Sequence, residues 1–156
     1  MAKRHPSLVP LSHDHHHGLA LAARLKQGDK ALLNDGWTHD RKEQAGMVQT
    51  FYDRELRPHF KAEEEIVFPA MSASLPQTVS IIENLVRQHR QMESLVENLA
   101  SGRGNALEHD LVALGELLEK HIRIEERELF EVFQSDLPAD VAEEVGKSLR
   151  LMYRHD

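Results

Sequence analysis

Residues 59–68 read HFKAEEEIVF and residues 121–130 read HIRIEERELF. Both contain His-x-x-x-Glu-Glu-x-x-x-Phe: His59, Glu63, Glu64 and Phe68 in the first copy, His121, Glu125, Glu126 and Phe130 in the second. Each copy runs on to a Leu-Pro pair, Leu75-Pro76 and Leu137-Pro138, and every matched position is offset by 62 residues. Four residues along a helix make one turn plus about 40°, so His and Glu at this spacing stack on one face. A repeat that preserved packing alone would not need its polar residues in register. The chain therefore reads as two diverged halves, each a pair of helices.

Outside these copies, apolar residues recur in steps of three and four, and no stretch alternates like a strand. The pattern predicts helix one from Ser12, as N-cap, to about Asn34, with Asp35-Gly36 as its stop. Helix two is predicted from after Thr38 to near Met71, with a kink at Pro58, and helix three from about Pro76 to Leu99. The Ser101-Gly102-Arg103-Gly104 loop leads into helix four, from about Asn105 to Gln134. Leu137-Pro138 opens a short fifth helix whose Val141, Val145, Leu149 and Met152 form a covering or self-association face. Long helices with short connections predict an all-α, up-down-up-down four-helix bundle with a short C-terminal fifth helix, one domain over 1–156.

Composition narrows the function. The formal charge of -7 argues against a nucleic-acid or anionic-membrane binder, which needs a basic face. The absence of Cys excludes disulfides, thiolate zinc sites, iron–sulfur clusters and a thiol nucleophile. The longest apolar run, Leu19 to Ala23, is too short for a membrane span or signal-peptide core, so a cytoplasmic protein is expected. Histidine is the unusual residue, with 11 in the chain.

The inward seams show where those histidines point. Helix two gives Ala45, Val48, Tyr52, Leu56, His59, Glu63, Ile66 and Ala70; helix four gives Leu107, Leu111, Leu114, Leu118, His121, Glu125, Leu129 and Val132. Helix three gives Val79, Ile82, Leu85, His89, Met92, Val96 and Leu99. Helix one gives Leu11, His15, Gly18, Ala22 and Leu25; the register through His16 is less apolar and is the fallback. The interior is thus predicted to hold His15, His59, His89 and His121 with Glu63 and Glu125. No Lys or Arg occupies these seams, and buried carboxylates need a partner or a cation. Four imidazoles and two bridging carboxylates offer eight donors, four for each of two ions. Six side chains exceed what one structural zinc takes, and mixed His and carboxylate ligation suits iron, manganese or zinc. Glu64 and Glu126 rotate about 100° off this face and are expected beside the ligands or in solvent. His5, His13, His17, His39, His109 and His155 are expected at the surface.

The order His15, His59-x-x-x-Glu63, His89, His121-x-x-x-Glu125 resembles the hemerythrin-like family, the HHE cation-binding domains. Leu11-Ser12-His13-Asp14-His15 and Glu63-Glu64-Glu65-Ile66-Val67-Phe68-Pro69 are similar to that family as well, and the likeness covers about residues 8 to 134. The resemblance implies a non-haem centre of two iron ions, bridged by Glu63 and Glu125 and carried by the four histidines. It implies binding of O2, NO or peroxide, in sensing, stress response or iron handling. The oxygen-carrying members have a second His four residues after the first in helix three, where this chain has Glu93, a further possible ligand. Their last-helix acid stands five places after its His; here Glu125 stands four after and Glu126 takes the fifth. The set is more similar to bacterial HHE proteins of sensing or stress than to the carriers.

The expected function is a di-iron binding protein that responds to a small ligand and passes the signal to a protein partner or through a homodimer. A di-iron oxidase or peroxidase is the enzymatic alternative. A metal-free bundle with a hydrogen-bonded polar core is the purely structural one.

Overall fold

The computed structural model describes residues 3–27 and 37–154. The described residues are helical, with no strand among them. A 3-10 turn, Pro6–Leu8, leads into α1, Val9–Gln27. Helix α2 runs without a break over 41–74, and α3 is Val79–Leu99, entered through a 3-10 turn at Pro76–Thr78. Helix α4 covers 104–136, and α5 is Ala139–Tyr153. The predicted end of helix one, at Asn34 to Gly36, and the surface assignment of His155 lie outside the described residues.

Helix α1 begins one turn before the predicted cap. His5 caps the 3-10 turn by accepting from Ser7 N–H, and Pro10 falls in the first turn of α1, where no donor is required. Ser12 is not a cap; its hydroxyl donates to Glu126 Oε2 at 2.7 Å. His5 is half-buried, edge-on to Phe133, instead of at the surface. By contrast Asp40 caps α2 by accepting from Lys42 and Glu43 N–H, just after Thr38 as expected. Gly104, with φ of +56°, turns the chain into α4 in a conformation that favours glycine.

Three π-turns lie within the long helices, at Tyr52–Leu56, Glu63–Val67 and Glu125–Leu129. The N–H groups of Arg57, Phe68 and Phe130 close them onto the carbonyls of Tyr52, Glu63 and Glu125. Pro58 and Pro69 each follow such a closure, where the widened turn accommodates a residue with no N–H. Each π-turn adds a residue, so the inward seam advances by fours. It runs Glu63, Val67, Met71 and Glu125, Leu129, Phe133, all buried. The predicted Ile66, Ala70 and Val132 are rotated off it and only half-buried. Val79 is 39% exposed at the start of α3. The remaining predicted seam positions are buried.

The helices pack as a bundle, with α4 against both α1 and α3. Gly115 permits the approach of α1: a Cβ there would stand 2.9 Å from the carbonyl oxygen of Ala22. Two apolar clusters fill the interior. One joins Leu25, Val48, Leu56, Met92 and Leu114; the other joins Leu11, Val67, Met71, Leu85, Phe130 and Leu149. The buried His and Glu side chains form a polar layer between them. Helix α5 covers the second cluster with Ala142, Val145 and Leu149, and Ser7 Oγ donates to the carbonyl of Ala142 at 2.8 Å. Val141 and Met152 are half-buried on the same side.

Candidate metal centre

Each long helix from α1 to α4 brings one histidine to the polar layer, and α2 and α4 each add a glutamate one turn on. His15, His59, Glu63, His89, His121 and Glu125 are all buried. His16 is exposed, one step around α1 from His15. Glu93 is directed away from the layer and pairs with Arg90, its side chain 30% exposed. His13, His17, His39 and His109 are exposed.

The Nε2 atoms converge. His15 Nε2 lies 3.2 Å from His59 Nε2 and 3.3 Å from Glu125 Oε1. His89 Nε2 lies 3.2 Å from His121 Nε2 and 3.1 Å from Glu63 Oε1. His121 Nε2 is 3.1 Å from Glu125 Oε1, and His59 Nε2 is 3.5 Å from Glu63 Oε2. Two overlapping groups can each surround an ion: His15, His59, Glu63 and Glu125, and Glu63, His89 and His121, with donor atoms in each within 4.8 Å of one another.

Every outward Nδ1 has an acceptor. His15 Nδ1 donates to Glu126 Oε2 at 2.6 Å and His89 Nδ1 to Glu64 Oε2 at 2.7 Å. His59 Nδ1 donates to Asp14 Oδ2 at 3.0 Å and His121 Nδ1 to Gln88 Oε1 at 2.7 Å. Arginines brace the two glutamates, Arg4 on Glu126 at 3.1 Å and Arg90 on Glu64. The repeated phenylalanines pack on rings across the centre. Phe130 stacks on His15 at 5.6 Å, and Phe68, with Phe60, encloses His89. The repeat is thus explained letter by letter: a ring and a carboxylate facing in, an acid holding another helix's ring, and a phenylalanine stacked on it.

With Nδ1–H committed outward, neutral rings turn their Nε2 lone pairs inward. Lone pairs of His15 and His59 would then face each other at 3.2 Å, as would those of His89 and His121, unless a proton or cation lies between them. The carboxylates are equally unsatisfied: Glu63 Oε2 and both oxygens of Glu125 have no hydrogen-bond partner. Among the described residues, no Lys or Arg is buried that could neutralise them. The donor set therefore fits a bound cation.

Without metal, protons fill the role. Burial and the neighbouring charge of Glu125 push Glu63 well above the usual carboxylate range. Burial works upward on Glu125 too, but the close approach of His121, Glu63 and His15 holds it well below. Desolvation works against charging His89, yet Glu63 and Glu64 raise it to about 9. His15 is likewise raised, by Glu125 and Glu126 against desolvation. Burial keeps His121 low. One glutamate protonated beside one ionised is what two adjacent carboxylates adopt in a dry site.

A narrow cavity reaches the centre between α1, α2 and α4. It is lined by His15, His59 and His121 with Gly18, Leu56, Phe60, Leu118 and Ile122, and leaves about 10 Å³ for the centre of a water-sized molecule. That is room for about one such molecule.

Asp14 and Gln88 were not singled out by sequence reasoning. A signal was present: each directly precedes a seam histidine, His15 or His89, and carries a side-chain acceptor. Glu64 and Glu126 stand beside the ring histidines, the first of the two placements expected for them.

Among the described residues no helix is long and apolar enough to cross a membrane. No curated protein and no solved structure was found to match the chain. A family model described as the Hemerythrin HHE cation binding domain matches residues 8–133, which include all six buried side chains of the centre. The chain belongs to the hemerythrin HHE cation-binding family.

Proposed function

We propose that this chain is a cytoplasmic, single-domain di-iron protein, an up-down-up-down bundle over 1–156, that binds O2, NO or peroxide in sensing, stress response or iron handling. The convergence of four Nε2 atoms on two unsatisfied carboxylates, with every Nδ1 held from behind, carries this reading. His15, His59, His89 and His121 would hold the ions, and Glu63 and Glu125 would bridge them. When bound, the iron pair supplies a change of redox state and an open position for a small ligand. The residues do the rest. Glu126, Glu64, Asp14 and Gln88 fix the imidazole orientation, so the rings are preorganised. Phe60, Leu118 and Ile122 line the cavity and would keep bulk water from the centre. The outcome of binding would pass to a protein partner or to a second copy of the chain.

The test is metal analysis of untagged protein purified without nickel. About two iron ions per chain, with near-ultraviolet ferric absorption and a raised melting temperature, are expected. A single tightly bound zinc, or no metal at all, would overturn the dinuclear reading.

A further inference from the structure

The two halves of the centre hold one ring alike and the other differently. His15 and His89 each donate Nδ1–H to a glutamate that an arginine braces. His59 and His121 differ. His59 donates to the carboxylate of Asp14, itself held by the Tyr153 hydroxyl at 2.8 Å, whereas His121 donates to the neutral amide of Gln88. An anionic acceptor makes the opposite ring nitrogen a stronger donor than a neutral one does. Glu63 and Glu125 each lie beside both positions, so the inward side chains are equal in number and the difference lies behind the rings.

We propose that Asp14, positioned by Tyr153 from α5, makes the His15–His59 half the tighter of two unequal metal positions, filled first and emptied last. This rests on the dinuclear reading above. Asp14 acts through the His59 ring and is a positioning residue.

The experiment is an anaerobic calorimetric titration of metal-free, full-length protein with ferrous iron. Two steps separated by about 10- to 100-fold in affinity are expected, the usual range for partners behind a ligand. Asp14→Asn should weaken the tighter step about tenfold and draw the two together. Gln88→Glu should strengthen the weaker one. Tyr153→Phe should move the tighter step alone. With one equivalent of cobalt(II), paramagnetic shifts should appear on the ring protons of His15 and His59 before those of His89 and His121. Two ions bound with a separation that Asp14→Asn leaves unchanged, or shifts on all four rings from the first addition, would overturn the inequality while the dinuclear reading stands. No binding by the unmodified chain would overturn both.

Discussion

Glu63 and Glu125 each begin a π-turn, their carbonyls bonded to the N–H groups of Phe68 and Phe130 five residues on. The widened turn falls at the carboxylate that faces the centre, in both halves, at the same offset of 62 residues. It sets which residues beyond the glutamate face the core.

That register is open to measurement. Val67 is fully buried and Ile66 is not. Val67→Ala should cost about 2 kcal/mol of stability and Ile66→Ala less than about 1 kcal/mol, read by urea denaturation. An uninterrupted α-helix would give the opposite ranking.

The unsatisfied carboxylates predict a trade between metal and stability. Glu63→Gln removes an ionisable group from a dry site beside Glu125. Metal-free protein should become about 1 to 3 kcal/mol more stable, while iron falls from about two ions per chain to one or none. Calorimetric melting of metal-free and loaded samples would check both halves of this expectation.

Metal binding should depend on pH through the protons it displaces. His89 titrates at about 9 in the fold against an ordinary 6.5. Its protonated form therefore stabilises the metal-free protein fully below about pH 6.5, and that contribution is lost as pH rises through about 9. Metal affinity should move the other way, gaining about tenfold per pH unit for this proton until about pH 9. Zinc titrations from pH 6.5 to 9, in buffers of differing ionisation enthalpy, would count the protons released.

Two glycines should respond oppositely to alanine. Gly115→Ala drives a methyl to within 2.9 Å of the Ala22 carbonyl and should cost about 1 to 3 kcal/mol. Gly46, in α2, has nothing within 4 Å, so Gly46→Ala should gain about 1 kcal/mol from helix propensity.

Glu93 pairs with Arg90 at the surface of α3. Glu93→Ala should leave metal content unchanged, as elemental analysis would show.

Much of this architecture can be read from periodicity, because helices with one apolar stripe betray their buried face. Leu107, Leu111, Leu114 and Leu118 lead to His121 in steps of three or four, and all of them are buried. The choice of His15 over His16 follows from the same logic, since Leu11, Gly18, Ala22 and Leu25 share the face of His15. The π-turns were not legible, because an added residue leaves the composition unchanged and only shifts the phase after Glu63 and Glu125. The start of α1 escaped for another reason: Ser12 has the chemistry of a cap but spends its hydroxyl on Glu126, a partner 114 residues away. Asp14 and Gln88 lie one step off the apolar stripe, where a count of inward positions does not look.

The bonds behind the rings have a wider consequence. His15, in the first half, is held by Glu126 in the second, and His89, in the second, is held by Glu64 in the first. Such mutual exchange, in which position i meets j and j meets i, is the signature of an isologous contact between identical subunits. The chain thus repeats within itself the contact pattern of a two-fold interface between two copies of a helix pair. Its two sides are free to diverge, as Asp14 and Gln88 have done, in a way that identical subunits could not.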